Sequence, residues 1–156
     1  MSFADIEKRL QVLEDIENIK KLKAKYCLAA DDNYNPKAMS SLFTEDGVWD
    51  GGEFWGKYQG RKGIEEYFQG ASGNISFAVH AALTPHIEVE GTKAKGTWYL
   101  LAEATMTKGN QAVWGAVRYD EEYVKIDGEW KFKYVKLTTF YWTPYELGWA
   151  EKRFVK

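Results

Sequence analysis

A change in hydrophobic period part-way along the chain constrains the fold more than any other feature. Near the start the apolar residues recur at three- and four-residue spacing, as in Ile6, Leu10, Leu13, Ile16, Ile19, Leu22 and Tyr26, with Lys and Glu filling the opposite face. That is a helical stripe. Its extent, from about residue 3 to about residue 31, predicts two helical segments or one helix bent near Glu14-Asp15. Asn35-Pro36 supplies an N-cap and a first-turn proline for a short helix through Phe43, and Thr44-Glu45-Asp46-Gly47 is expected to stop it. From there the period becomes two. Val48-Trp49-Asp50 and Phe54-Trp55 flank Gly51-Gly52 and predict a short hairpin, followed by Lys57-Tyr58-Gln59. Residues 61–68 read as a third helix with apolar Ile64, Tyr67 and Phe68 and an exit at Gly70 to Gly73. Segments 76–90, 93–107, 111–126 and 129 to about 143 read as long strands, joined by turns at Gly91, at Lys108-Gly109-Asn110 and at Asp127-Gly128.

Helices first and antiparallel neighbours afterwards describe an α+β domain, one unit over 1–156, in which a curved, mostly antiparallel sheet wraps around the N-terminal helices. Strands this much longer than the usual ~5–6 residues must bend. Pro85, Gly96 and Gly115 are the expected bulge positions. A curled sheet closed by helices is a cone, and its open end is a pocket.

Net charge is −2 with Lys and Arg spread along the chain, so there is no basic stripe to hold phosphates, and the reading is against a nucleic-acid partner. The partner expected is a small hydrophobic molecule. The single cysteine, Cys27, excludes an internal disulfide framework and reads as a small core residue in a reducing cytoplasm. No basic-then-apolar leader opens the sequence and no run approaches the ~20 residues of a membrane span. A soluble, cytoplasmic, unprocessed protein is expected. Aromatic residues make up 16% of the chain, with seven Trp, ten Tyr and eight Phe. Such side chains pack cores and also line apolar pockets, where their polar tips orient ligands. The pocket candidates are Trp49, Phe54, Trp55, Tyr58, Trp98, Trp114, Phe140 and Tyr141. The aromatic-rich tail from Leu137 to Trp149 is more apolar surface than a monomer usually exposes and points to a homo-oligomer.

Two acids, Asp31 and Asp32, fall where the long helical stripe ends, at the helix pole that disfavours negative charge by about 0.3–1 kcal/mol. Asx turn chemistry in Asp32-Asn33-Tyr34-Asn35-Pro36 accounts for Asp32. Asp31 instead shares a face with Leu22, Tyr26 and Ala30 and is expected to point inward. The chain holds two histidines, both on the first long strand. Alternation puts His80 on one face with Ala78 and Ala82, which leaves space in front of it, and His86 with Glu88 and Glu90 on the polar face. A core histidine with a satisfied hydrogen bond and a catalytic base both fit His80 on spacing alone. Two histidines six apart, without a third ligand nearby, make no zinc-type set. No phosphate-cradling glycine loop and no nucleophile elbow is present, so no cofactor is expected.

The run Asp15-Ile16-Glu17-Asn18-Ile19-Lys20-Lys21-Leu22-Lys23-Ala24-Lys25-Tyr26, then Asp31, then Leu42-Phe43-Thr44-Glu45-Asp46-Gly47-Val48-Trp49 resembles the SnoaL-like branch of the nuclear transport factor 2-like superfamily. Val79-His80, Thr84-Pro85-His86-Ile87-Glu88-Val89 and Ala94-Lys95-Gly96-Thr97-Trp98-Tyr99-Leu100 extend the likeness, to about Leu137. Within that branch the chain looks most like the bile acid 7-alpha-dehydratases, and more distantly like scytalone dehydratases and hexachlorocyclohexane dehydrochlorinases. The resemblance implies a cone-shaped, cystatin-like α+β barrel, commonly a trimer, with a dimer as the other stoichiometry. It also implies a cofactor-independent lyase in which Tyr26, Asp31 and His80 fall on the catalytic Tyr, Asp and His. Three pocket positions depart from the bile acid pattern, near Asp50-Gly51, at Ala102 and near Gln111. The resemblance therefore carries the His and Asp pair further than the substrate. Asp31 would fix the imidazole tautomer, His80 would take a proton from carbon, and Tyr26 would donate to a substrate oxygen or hold Asp31. An isomerase or cyclase using the same proton transfer, and a small-molecule binding module, are the competing readings.

Overall fold

The computed structural model describes residues 2–155. Helix α1 (Phe3–Asp31) is one unbroken helix with no second segment. It opens on a capping box, in which the Ser2 side chain accepts from the Asp5 N–H and the Asp5 carboxylate accepts from the Ser2 N–H. The helical stripe is only half used. Phe3 is 89% exposed and Leu13 60%, whereas the helix packs from Asp15 onward through Ile19, Leu22, Lys23, Tyr26, Ala29 and Ala30. Asp15 marks the changeover: its carboxylate pairs with Lys125 at 2.6 Å and accepts the Trp130 indole N–H at 2.9 Å.

Helix α2 (Pro36–Ser41) ends before Phe43, which begins β1 (Phe43–Asp50). The Thr44 to Gly47 stretch expected to stop a helix instead lies inside β1, across an irregularity in its pairing. The expected hairpin around Gly51-Gly52 is wider than the sequence suggested. Phe54 and Trp55 form a helical turn, α3 (Gly52–Trp55), and β1 pairs with β2 (Lys57–Gln59), Trp49 opposite Tyr58. Contacts to distant residues hold the turn, since Phe54 packs on Phe154 and Trp55 on Trp142. Helix α4 (Gly60–Asn74) runs through Gly70 and Gly73 and does not exit there. Tyr67, Phe68, Ala71 and Ile75 extend the packed face past both glycines, and tertiary burial overrides a cost of about 1 kcal/mol per glycine.

Strands β3 (Ile75–Glu90), β4 (Lys93–Met106), β5 (Gln111–Ile126) and β6 (Glu129–Pro144) follow, with a 3-10 turn at Lys108–Asn110 and a final helical turn, α5 (Gly148–Glu151). The sheet order is β2-β1-β6-β5-β4-β3, antiparallel except between β1 and β6. It is a curved, unclosed mixed sheet, so the cone is completed by α1 and α4 and not by strand pairing. Register shifts occur between Leu83 and His86, around Pro85, and between Ala116 and Val117, next to Gly115. Gly96 is not a bulge. It pairs regularly with Ile87 and Glu121, and its missing side chain admits Tyr123, whose hydroxyl would lie 3.0 Å from a Cβ there. No helix among the described residues is long and apolar enough to cross a membrane.

One buried ion pair ties α1 to the sheet. Lys23 Nζ lies 2.5 Å from Glu121 Oε1 on β5, with side chains 1% and 0% exposed. The ammonium sits 3.2 Å from the Tyr119 ring centroid and 4.6 Å from that of Tyr26. The second carboxylate oxygen accepts the Tyr123 hydroxyl, which in turn accepts the Trp98 N–H at 3.0 Å. Burial pushes the Lys23 ammonium below its usual range, and the Glu121 carboxylate pulls it back. Glu121→Leu alone should lower stability by about 3–5 kcal/mol, because it strands a buried cation, whereas Lys23→Met with Glu121→Leu should recover most of that loss. Urea unfolding followed by tryptophan fluorescence checks both; a single variant as stable as the parent would contradict the assignment of this pair as a buried tether.

Candidate active site

The open end of the cone encloses a cavity of about 530 Å³ between the C-terminal turns of α1, helix α4 and the concave face of the sheet. Its polar feature is His80 on β3. Because β3 is an edge strand, alternate backbone groups on its outer side have no strand partner. Asp31, at the end of α1, fills that gap. A single carboxylate oxygen, Oδ1, lies 2.9 Å from the His80 backbone N–H and 2.8 Å from His80 Nδ1. Two donors from one residue thus hold the carboxylate that the helix pole disfavours. The expectation that Asp31 points into the cone is corrected: its side chain is 32% exposed and reaches His80 from the outer rim, while the His80 side chain is 7% exposed and borders the cavity.

With Nδ1–H donated to Asp31, the lone pair of Nε2 faces inward. There it meets Tyr34, whose hydroxyl is 3.4 Å away and whose ring stands edge-on to the imidazole at 5.6 Å. Tyr34 follows Asn33, and both have left-handed backbones, φ 52° and 51°. This conformation stops α1 and turns the Tyr34 ring under the helix end, onto Phe68. Burial raises the Tyr34 hydroxyl pKa, as does the nearby Asp31 charge, so the hydroxyl stays protonated and donates to Nε2.

Tyr26 also lines the cavity. Its oxygen accepts the Trp49 N–H at 2.8 Å, which leaves its own proton unclaimed by that partner. Burial holds its pKa above the ordinary phenol value, although the Trp49 donor works the other way. Tyr26 makes no hydrogen bond to Asp31; Trp49 is its polar partner, and the Tyr119 ring stands edge-on to it at 5.9 Å.

Of the aromatic pocket candidates, Trp49, Phe54, Trp55 and Tyr58 line the cavity, and Trp98, Trp114, Phe140 and Tyr141 do not. Trp98 faces inward under α1, where it serves the Glu121 network. Trp114 faces outward and stacks on Tyr145. The bulge between Ala116 and Val117 shifts the parity of β6, so that Phe140 and Tyr141 turn outward onto Tyr99 and Trp149 and Trp142 turns inward. Tyr34, Tyr67, Tyr119 and Trp142 are wall residues that the sequence reading passed over. Alternation along β5 reaches Tyr119 and the helical stripe of α4 reaches Tyr67; the Tyr34 backbone and the β6 bulge leave no comparable local signal.

Comparison with known proteins agrees with this architecture. A family model described as a SnoaL-like domain matches residues 11–136. A type 2 hexachlorocyclohexane dehydrochlorinase is 25% identical, with 87% of this chain and 92% of that one covered at a TM-score of 0.81. A protein from Novosphingobium aromaticivorans provisionally named a scytalone dehydratase is 26% identical, with 85% and 89% covered at 0.78. An NTF2-like protein with a cystatin-like fold from the same species, 21% identical, covers 88% and 90% at 0.71 and speaks to the fold alone. With its matched region spanning both the Asp31 helix and the His80 strand, the chain belongs to the SnoaL-like family.

Proposed function

We propose that the protein is a cofactor-independent lyase that eliminates water or another leaving group from a small, hydrophobic, ring-containing substrate. The observation that carries this reading is the line from Asp31 through His80 to the cavity, with one imidazole nitrogen held by a carboxylate at 2.8 Å and the other turned toward the enclosed space. The names of the similar solved proteins, a dehydrochlorinase and a provisional dehydratase, support the reaction class.

In the proposed step, Nε2 takes a proton from a substrate carbon, the C–H electrons form the new double bond, and the bond from the neighbouring carbon to the leaving group breaks. The imidazolium that forms is stabilised by the Asp31 carboxylate. When the leaving group is hydroxide, the Tyr26 hydroxyl or the imidazolium supplies the proton that completes water. The Tyr34 bond to Nε2 is long at 3.4 Å and therefore weak, so an incoming C–H group displaces it at small cost. The cavity wall, with its many aromatic rings, excludes water from the base and suits an apolar ring system.

His80→Ala should lower turnover at least about 10²- to 10⁴-fold while a product analogue still binds within a few-fold of the parent. Asp31→Asn should be severely impaired as well, since an amide can hold the ring in the wrong tautomer and cannot stabilise imidazolium. The assay is a panel of hydroxylated steroid, polyketide-like and phenolic rings with chelator present. Activity abolished by chelator, or intact in His80→Ala, would rule the mechanism out. Turnover with the leaving group retained would make the enzyme an isomerase or cyclase, and tight binding without turnover would make it a binding module.

The proposal extends to a homotrimer. Opposite the cavity, Leu83, Tyr99, Leu101 and Phe140 stand exposed on the outer face of the sheet, with Trp114 at its margin and Tyr145, Leu147 and Trp149 beyond it. Such a continuous apolar face calls for cover. Sedimentation velocity at micromolar concentration should give a trimer, and Leu101→Lys should dissociate it. A dimer would revise the stoichiometry, and a stable parent monomer would overturn the assembly.

A further inference from the structure

Packing does not account for the hydroxyl of Tyr34. The ring lies on Phe68, with planes 10° apart and centroids at 6.1 Å, and stands edge-on to the His80 imidazole on the cavity wall. A phenylalanine would keep both contacts. The hydroxyl adds a polar atom to a residue only 7% exposed, and its hydrogen bond is the 3.4 Å contact to His80 Nε2. A bond of that length offsets little of the cost of burying the group. The backbone adds to the cost. Tyr34 and the Asn33 before it both hold left-handed angles, φ 52° and 51°, which tyrosine adopts only where the surrounding structure imposes them. Strain of this kind collects at working sites.

Substrate binding removes the one partner the hydroxyl has. Once a C–H group stands in front of Nε2, the Tyr34 proton loses its acceptor, although the phenol oxygen still lies beside the base. A buried donor without an acceptor is costly. The nearest acceptor a substrate can offer is an electronegative atom on the carbon next to the one that loses its proton. In an elimination that atom belongs to the leaving group. Burial above all, and the Asp31 charge after it, hold the Tyr34 phenol protonated. The hydroxyl therefore gives up its proton only as another arrives, and the imidazolium formed at Nε2 is the group placed to deliver it.

We propose that Tyr34 is a catalytic residue, the relay that carries the abstracted proton from His80 toward the departing oxygen, and that the elimination is consequently syn. This rests on the reading of the site as a lyase and adds how its cycle closes and on which face of the ring. Nε2 takes the proton from carbon, the C–H electron pair becomes the double bond, and the C–O bond breaks with its pair on oxygen. That oxygen takes the Tyr34 proton and leaves as water, while the Nε2 proton passes to the phenol oxygen. The substrate has lost one water and both side chains are back in their starting forms. The 3.4 Å separation fixes the stereochemistry. Groups this close reach the C–H and the C–O bond from one side of the ring, because a leaving group on the far side would be screened from Tyr34 by the carbon that carries it. In glycoside hydrolysis, too, the separation of two catalytic groups decides the stereochemical course. A departing halide needs no proton, so the relay favours an oxygen leaving group.

The test uses a panel alcohol that the parent protein dehydrates, prepared with deuterium on the carbon that loses its proton, either cis or trans to the hydroxyl. The parent should lose the cis label and keep the trans label in the alkene. This readout needs no substitution. Tyr34→Phe, which keeps the ring on Phe68, should lower turnover about 10²- to 10⁴-fold while a product analogue still binds within a few-fold of the parent. Loss of the trans label, loss of both labels alike, a Tyr34→Phe protein that dehydrates as fast as the parent, or a fall in turnover matched by an equal fall in product-analogue affinity would each overturn the relay and leave the lyase standing. A panel in which no alcohol is dehydrated would overturn the lyase, and the relay would fall with it.

Discussion

The Lys23–Glu121 pair is the constraint from which the rest of the site follows. A long helix laid across a curved sheet can slide and rotate on apolar contacts alone, since burial is non-directional. A cation with carboxylate oxygen at 2.5 Å, inside rings contributed by α1 and β5, cannot. Both charges have lost their water, so any displacement that lengthens the pair exposes the full desolvation cost of each. Fixing Lys23 fixes the positions on α1 that follow it. Tyr26 comes one turn later, where it meets Trp49, and Asp31 comes about two turns later, where it meets β3. The tether itself lies outside the cavity wall, which keeps its charges away from an apolar ligand.

The meeting of α1 and β3 joins two local liabilities that relieve each other. A helix C-terminus repels a carboxylate, and an edge strand leaves an N–H without a partner. At Asp31 and His80 the carboxylate takes up that N–H and the imidazole together. The same junction also stores strain. Asn33 and Tyr34 are consecutive residues in a left-handed backbone, which tyrosine rarely adopts. The conformation lets the chain leave the helix at once and brings a protonated hydroxyl to Nε2. Burial of the Tyr34 ring against Phe68 offsets the strain.

Much of this was legible in the residues, and what was not depended on distant packing. Period alone placed α1 and the four long strands, and the turn residues marked their joints at Gly91, Asn110 and Asp127-Gly128. Helix phase brought Asp31 to the right helix end, and strand alternation gave His80 and His86 opposite surroundings, but neither could supply the outer approach of Asp31. The glycines of α4 and the Gly51-Gly52 turn misled because local propensity was outweighed by burial of Phe68, Ala71 and Trp55. The unused half of the α1 stripe misled the other way: hydrophobic spacing says which face could be buried, and only the position of the sheet edge decides whether it is.

The β6 bulge had the largest consequence of any feature hidden in the sequence. Strict alternation from Leu137 would carry Thr139 and Tyr141 inward and leave Trp142 outside. One extra residue at Phe140 reverses that parity for the remainder of the strand. The cavity then ends on an indole and not on a phenol. The exchange matters chemically, because a phenol can donate or accept and so can satisfy itself with a water or a neighbouring hydroxyl, whereas an indole can only donate. The parity reversal thereby tucks the Trp142 indole behind the wall formed by Tyr26, Tyr34, Tyr67 and Tyr119, packed edge-on against Trp55. It also turns Phe140 and Tyr141 outward, where their rings add to the apolar outer face and leave the concave side of the sheet to the cavity.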